Sequence, residues 1–235
     1  MNSTTTFKSL SLSGVVFAGT VSAIAVLAAL PASAVSFTGT GTGFNIPDFN
    51  LTGASSTITV PTGSNFLITD ITVTLNNLVH PFIGQLIASL TYVPTNTTVS
   101  LFNGIGRVDT EGGGDSSNFN DTYSFNDAFT GNIWQVAAAL PNTGNIPPGN
   151  YFPTSADSAA FVPILTSLGG SQTAGNWRLT ISDVALANTG SLGSWTLNLE
   201  GTPLAPVSVP ESSSGLGLLA LGLLGAGAAL KRHWN

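Results

Sequence analysis

The segments Trp177-Arg178-Leu179-Thr180-Ile181 and Trp195-Thr196-Leu197-Asn198-Leu199 decide the fold, because every second residue in each is apolar. Alternation with a period of two places apolar side chains on one face of a β-strand and polar side chains on the other. The ranges 71–75 and 86–92 repeat this pattern, and Gly, Pro and Asn separate such segments along the chain. The sequence therefore predicts an all-β fold of half-buried antiparallel strands that pack as a sandwich.

The charge composition excludes several classes of function. The chain has a formal net charge of −6 and no cysteine, and between Val35 and Glu211 its cations are Arg107 and Arg178. Nucleic-acid binding is excluded because it needs many Lys and Arg residues to neutralise phosphates. An anionic lipid surface is disfavoured for the same reason. The missing cysteines exclude disulfides and sulfur-based zinc sites.

The N-terminus has the three parts of a secretory signal peptide. Lys8 supplies the positive charge, residues 15–30 form an apolar stretch, and Ala32-Ser33-Ala34 is a small-x-small cleavage site. We expect cleavage after Ala34. The alternative is an uncleaved membrane anchor.

The C-terminus carries a second apolar run, residues 215–230, which Lys231 and Arg232 follow directly. About 16 apolar residues with a basic flank predict a transmembrane helix whose basic end stays in the cytoplasm. The sequence thus predicts five parts: a signal peptide 1–34, a sandwich 35–201, a stalk with a sorting motif 202–214, a transmembrane segment 215–230 and a basic cytoplasmic tail 231–235.

Four segments together resemble the P domain (P/Homo B domain) of subtilisin-like proprotein convertases. They are the strand and turn at 68–84 with its His80-Pro81-Phe82-Ile83-Gly84 motif, the acidic loop at 112–128, and the late strands at 175–183 and 189–197. The resemblance covers roughly residues 44–201. It implies a galactose-binding-like jelly roll, a domain that in the convertases packs beside a catalytic subtilisin domain.

The tail resembles the PEP-CTERM sorting signal. Val209-Pro210-Glu211 precedes the apolar run and its basic end, and Ser212 stands where a second proline is usual. This resemblance implies an exosortase-type processing enzyme as a partner. The alternative is an ordinary single-pass anchor.

The sequence argues against catalysis by this chain. His80 is the one histidine between the two apolar ends, and a serine triad needs a histidine base beside a nucleophile. No Gly-x-Ser-x-Gly elbow occurs. We interpret His80 as a structural turn residue and expect no enzymatic activity.

The acidic loop suggests a calcium site. Close carboxylates repel one another unless a cation bound by oxygen ligands offsets the repulsion. The candidate ligands are Asp115, Asn120, Asp121 and Asp127. The alternative is that these residues are solvated turn formers, since Asp and Asn are favoured in turns.

Aromatic residues lie between the turn residues of the same region. Tyr123 and Trp134 are candidates for stacking on sugar rings, and the alternative is that such aromatics hold a long loop against its sheet. Trp177 and Trp195 begin alternating strands, so we expect them in the core.

These observations favour a non-catalytic protein that is exported to the cell envelope, where it is membrane-anchored or released to the surface or extracellular matrix. One alternative is a carbohydrate-binding module for exopolysaccharide. Another is an accessory domain that acts in trans on a subtilisin-like serine endopeptidase.

Overall fold

The computed structural model of the chain describes residues 33–107, 113–156 and 158–205. Cleavage-site residue Ala32, the sorting motif Val209-Pro210-Glu211 and the predicted transmembrane segment lie outside these ranges. No helix within the described ranges is long and apolar enough to cross a bilayer.

Strands dominate the described residues. They are β1 (Val35–Ile46), β2 (Ala54–Val60), β3 (Phe66–His80), β4 (Leu86–Tyr92), β5 (Thr97–Asn103), β6 (Phe119–Phe125), β7 (Gly149–Tyr151), β8 (Gly175–Asp183) and β9 (Gly190–Pro203). Two short helices, α1 (Ile133–Ala139) and α2 (Leu165–Leu168), and 3₁₀ turns at Thr62–Ser64, Ile83–Gln85 and Val93–Thr95 join them.

The strands form two sheets, which confirms the predicted all-β sandwich. The five-stranded sheet has the order β1-β9-β3-β6-β7, and the four-stranded sheet has the order β2-β8-β4-β5. Every pairing between neighbouring strands is antiparallel except that of β6 with β7, which is parallel from Tyr123↔Gly149 to Phe125↔Tyr151. This departs from the purely antiparallel expectation. A parallel pair needs a crossover, and the segment containing α1 provides it.

The core lies between the sheets, and the two late strands supply its largest side chains. Trp177 on β8 and Trp195 on β9 are fully buried, as predicted. Each indole N–H has a partner: Trp177 Nε1 donates to the Thr173 carbonyl at 2.9 Å and Trp195 Nε1 to Ser56 Oγ at 3.1 Å. Gly41 on β1 lies directly against the Trp195 indole, where a β-carbon would collide with the ring.

The pairing also fixes where the chain enters and leaves the sandwich. Val35 at the start of β1 pairs with Gly201 near the end of β9, and Phe66 pairs with Pro203. We call this the proximal end. The distal end is the opposite one, where β1 and β9 meet at Ile46 and Gly190 and β3 ends at His80.

Candidate functional site

A buried His–Asp pair joins the two sheets at the distal end. His80 ends β3 of the five-stranded sheet and Asp183 ends β8 of the four-stranded sheet, and both side chains are fully buried. His80 Nε2 lies 3.2 Å from Asp183 Oδ2. Asp183 Oδ1 accepts a hydrogen bond from the Ala185 backbone N–H at 3.1 Å.

The second ring nitrogen of His80 faces the turn that follows it. Nδ1 lies 2.9 Å from the Phe82 carbonyl oxygen and 3.2 Å from the Phe82 backbone nitrogen. Both ring nitrogens are therefore committed inside the protein, in agreement with a structural turn residue. Asp183 was not predicted as the partner of His80, although each residue ends an alternating strand.

The four candidate calcium ligands lie in different local settings. Asp115 is half-buried, its Oδ1 accepts from the Ser117 backbone N–H at 2.8 Å, and its backbone bonds to Ile105 and Gly84. Asn120 and Asp121 are exposed on β6, where Asp121 Oδ1 accepts from the Thr122 backbone N–H at 2.8 Å.

Asp127 has a structural role that the sequence did not suggest. Its Oδ1 accepts from the Ile164 backbone N–H at 2.8 Å and its Oδ2 from the Leu165 N–H at 2.9 Å. The carboxylate thus binds the first N–H groups of α2, which have no partner within the helix. Among the described residues, no group of three or more His, Asp or Glu side chains converges on a point. Calcium binding stays a prediction.

The two sugar-contact candidates differ in burial. Tyr123 is fully buried, its hydroxyl donates to the Ile146 carbonyl and accepts from the Asn120 N–H, both at 3.0 Å, and burial raises its pKa to about 12. A sugar cannot stack on this buried ring, so the predicted sugar contact of Tyr123 is wrong. Its hydroxyl instead holds the long loop onto β6. Trp134 on α1 is half-buried and donates through Nε1 to Thr154 Oγ1 at 3.3 Å. Its sugar contact stays a prediction.

The outer surface of the five-stranded sheet is a network of polar side chains that bond to one another. Thr74 and Ser124 hydroxyls lie 2.9 Å apart, and the Asn76 amide donates to Ser194 and Thr196, each at 3.2 Å. We call this surface the paired face. Its members are Thr38, Asp70, Thr72, Thr74, Asn76, Ser124, Asn126, Ser194, Thr196 and Asn198.

Asn126 is the most buried member of the paired face. Its Nδ2 lies within hydrogen-bonding distance of both Asp70 carboxylate oxygens, at 3.0 and 2.8 Å, and of Thr72 Oγ1 at 2.8 Å. It also lies 3.1 Å from the Ile71 carbonyl oxygen, and its Oδ1 accepts from the Ala128 N–H. The amide therefore ties the end of β6 to β3.

The outer surface of the four-stranded sheet is different. Arg178 stands in the middle of β8, opposite Thr57 on β2 and Thr91 on β4. We call the polar surface around it the open face. Its members are Ser55, Thr57, Ser89, Arg178, Thr180 and Ser182, whose side chains make no hydrogen bond to another described residue.

A hollow of about 450 Å³ lies on this surface, and the Thr52-Gly53 loop borders it at one side. Its lining consists of the open face without Thr57, together with the hydrogen-bonded pair Thr91 and Thr98. Sequence reasoning missed this surface. Its signal was present in the polar positions of the alternating strands, Arg178 and Thr180 among them, which were used only to place the apolar face.

Neither a protein-family model nor a curated protein matches the chain. The solved structures that are similar to it include the following two. The complex of the Aeromonas sobria serine protease with its chaperone ORF2 is 15% identical over 73% of this chain and 28% of that chain, with a TM-score of 0.43. The Aeromonas sobria serine protease alone is 16% identical over the same shares, with a TM-score of 0.41. The chain thus spans about 28% of the length of these structures.

Proposed function

We propose that this chain is a non-catalytic β-sandwich protein that is exported, tethered through its C-terminal tail, and displayed at the cell surface or in the extracellular matrix. The complete burial of His80 is the observation that supports the non-catalytic part of this proposal. A general base must lie within hydrogen-bonding reach of the proton that it removes from substrate. His80 is fully buried, and its two nitrogens face Asp183 and the Phe82 backbone.

Display outside the cell rests on the two ends of the sequence, residues 1–34 and 215–235. The P-domain resemblance adds support, because that family's domain is itself a non-catalytic companion of an exported enzyme. Processing at Pro210-Glu211 by an exosortase-type enzyme is part of the same proposal. A role in trans beside a subtilisin-like serine endopeptidase stays a prediction, which co-purification of such a protease tests.

A chain without cysteine allows a direct test of display. Leu186→Cys places one thiol at a side chain that is 67% exposed, and Ala88→Cys places one at a fully buried position as the matched control. We expect a membrane-impermeant maleimide to label Leu186→Cys on intact cells and Ala88→Cys only after denaturation. Labelling of Leu186→Cys that requires cell lysis would contradict display.

The non-catalytic assignment has its own test. A fluorophosphonate probe reacts with the activated serine of a serine hydrolase, which a hydrogen-bonded histidine base creates. We expect no labelling of the purified full-length protein. Labelling that His80→Ala abolishes in a folded variant would overturn the proposal.

A second candidate function, carbohydrate binding, is favoured by a specific observation. The open face carries exposed and half-exposed hydroxyl groups that bond to no other described residue, and it lines a hollow of a size that is usual for small-ligand sites. Binding of neutral and acidic polysaccharides to the full-length protein tests this function.

A further inference from the structure

We propose that the open face binds a carboxylate-bearing polysaccharide, with the Arg178 guanidinium on a sugar carboxylate and the surrounding Ser and Thr hydroxyls on sugar hydroxyls. This inference deepens the proposed function and rests on it, because such a ligand would be met outside the cell.

The charge of the two sheets is segregated, and this favours an anionic ligand for the open face. The four strands that form it contain one cation, Arg178, and one acidic residue, Asp183, whose side chain is fully buried. The five-stranded sheet carries Asp70, Asp121 and Glu200. Among the described strands, the exposed and half-buried acidic residues therefore all belong to the sheet that does not carry Arg178.

Arg178 is placed to receive a ligand. Its side chain is exposed on the central part of β8, and no carboxylate among the described residues forms an ion pair with it. A guanidinium binds a carboxylate through two parallel N–H···O bonds, which fixes orientation as well as charge. Among the described residues of the open face, Arg178 is thus the one charged side chain.

The neighbours of Arg178 match a polyol rather than a peptide. Thr180, Ser89 and Ser55 form a row across three strands, with Thr180 paired to both serines. Each hydroxyl donates one hydrogen bond and accepts two, which is the pattern that a sugar hydroxyl also offers. A carboxylate alone would satisfy Arg178 and leave these hydroxyls to water, whereas a chain of sugar hydroxyls offers each of them a partner.

The affinity of one site should be weak. One charge-assisted contact and a few exposed hydroxyl contacts correspond to a dissociation constant on the order of 1 mM. Many copies fixed to one surface would bind one polymer with much higher avidity. This fits a protein that acts in an array rather than alone.

The test uses polygalacturonic acid as the probe and its fully methyl-esterified form as the matched neutral polymer. The purified full-length protein in a non-ionic detergent is run in native gels that contain either polymer, and retardation is measured against polymer concentration. We expect retardation by polygalacturonic acid, weakened by salt because the contact is ionic. We expect little retardation by the ester.

Four variants separate the contributions. Arg178→Ala should weaken binding about tenfold or more. Arg178→Lys should weaken it by a smaller factor, because lysine keeps the positive charge but lacks the two parallel N–H donors of the guanidinium. Thr180→Ala should weaken binding about threefold through one lost hydrogen bond. Thr74→Ala, the matched hydroxyl deletion on the paired face, should leave binding unchanged. Thermal unfolding confirms that each variant is folded.

Three results would overturn the inference. They are no retardation by polygalacturonic acid, equal retardation by the esterified polymer, and unchanged binding in folded Arg178→Ala. Equal retardation by polyglutamate would also overturn it, because the open face would then bind any polymer of carboxylates and would not recognise the sugar. Maleimide labelling of Leu186→Cys does not depend on binding, so surface display and glycan binding can fail separately.

Discussion

The paired face and the open face are made largely of the same residue types and use them differently. On the paired face, hydroxyl and amide groups bond across β1, β9, β3 and β6. On the open face, Thr180 stands between Ser55 and Ser89, yet no hydrogen bond joins their hydroxyls. Polar composition therefore does not tell which side of a sandwich is structural and which is available to a ligand.

Asparagine explains much of the difference. Asn76, Asn126 and Asn198 bridge neighbouring strands of the paired face, because an amide reaches further than a hydroxyl and can donate twice. The strands of the four-stranded sheet contain two asparagines, Asn103 at the end of β5 and Asn176 at the margin of the open face. Asn176 also forms a bridge, accepting from Thr59 at 2.8 Å. Near Arg178 one hydroxyl pair does bridge two strands, Thr91 with Thr98 at 2.8 Å, whereas the hydroxyls of Ser55, Ser89 and Thr180 form no hydrogen bond with one another.

The largest effect is expected from Asn126→Ala on the paired face. The variant leaves the half-buried Asp70 carboxylate and the buried Ile71 carbonyl without this donor. An unsatisfied buried group costs about 1–3 kcal/mol, and a half-buried one costs less because water can reach it. We expect the free energy of unfolding in urea to fall by about 3 kcal/mol. Asn176→Ala is the control, with an expected loss under about 1 kcal/mol. Equal losses would erase the distinction between the two faces.

The second largest effect is expected from alkaline pH, which should lower the stability of the fold through Tyr123 in the core beneath the paired face. Its pKa is raised from 10.0 to about 12 by burial, so its contribution to stability is complete below pH 10 and is lost as the pH rises through 12. The slope approaches about 1.4 kcal/mol per pH unit for one proton. Tyr123→Phe should show a shallower loss between pH 10 and 12 in urea titrations. The burial of Tyr92 and Tyr151 raises the pKa of both and leaves a residual slope.

Asp127 extends the comparison to the residue that follows Asn126. Asp127→Asn removes the charge and one of the two acceptor oxygens, so either the Ile164 or the Leu165 N–H loses its partner, and we expect a loss of about 1 kcal/mol. The loss should be the same in millimolar calcium and in EDTA. A loss seen only in calcium would restore Asp127 as a ligand.

Asp115→Asn is the companion variant. If calcium binds at Asp115, this variant should remove any difference in stability between calcium and EDTA.

The smallest effect gives the most direct comparison. Thr74→Val deletes a hydroxyl bonded to Ser124, and Thr180→Val deletes one without a partner among the described residues. Both threonines are half-buried on inner strands of their sheets. We expect a loss of about 1 kcal/mol for Thr74→Val and a change within about 0.5 kcal/mol for Thr180→Val. Similar values for the two variants would show that the hydrogen bonds of the paired face do not contribute measurably to stability.

The sequence was sufficient for the fold class because burial in a sandwich follows alternation along each strand. Trp177 and Trp195 were placed in the core from this pattern alone, and both are fully buried. The parallel pairing of β6 with β7 was not predictable in the same way. It depends on a crossover through α1, whose seven residues are too few to show a helical stripe.

The site residues were harder to predict, because they depend on contacts between distant parts of the chain. His80 and Asp183 are 103 positions apart, and Asp127 reaches α2 across 37. Composition correctly marked the loop as acidic, but the same carboxylates can bind a cation, a backbone N–H or water. Tyr123 was misassigned for a related reason: an aromatic residue among turn residues faces either solvent or core, and only the sheet decides which.

The course of β9 has a mechanical consequence for a tethered protein. This strand is hydrogen-bonded to β1 on one side and β3 on the other along nearly its whole length, and its last residues lead toward the predicted stalk. A pull between the tail and an object held at the far end would run along β9. The ladder bonds lie across that direction, so they would be sheared together rather than peeled one at a time. The strand nearest the anchor would then resist extraction more strongly than a strand whose bonds break one after another.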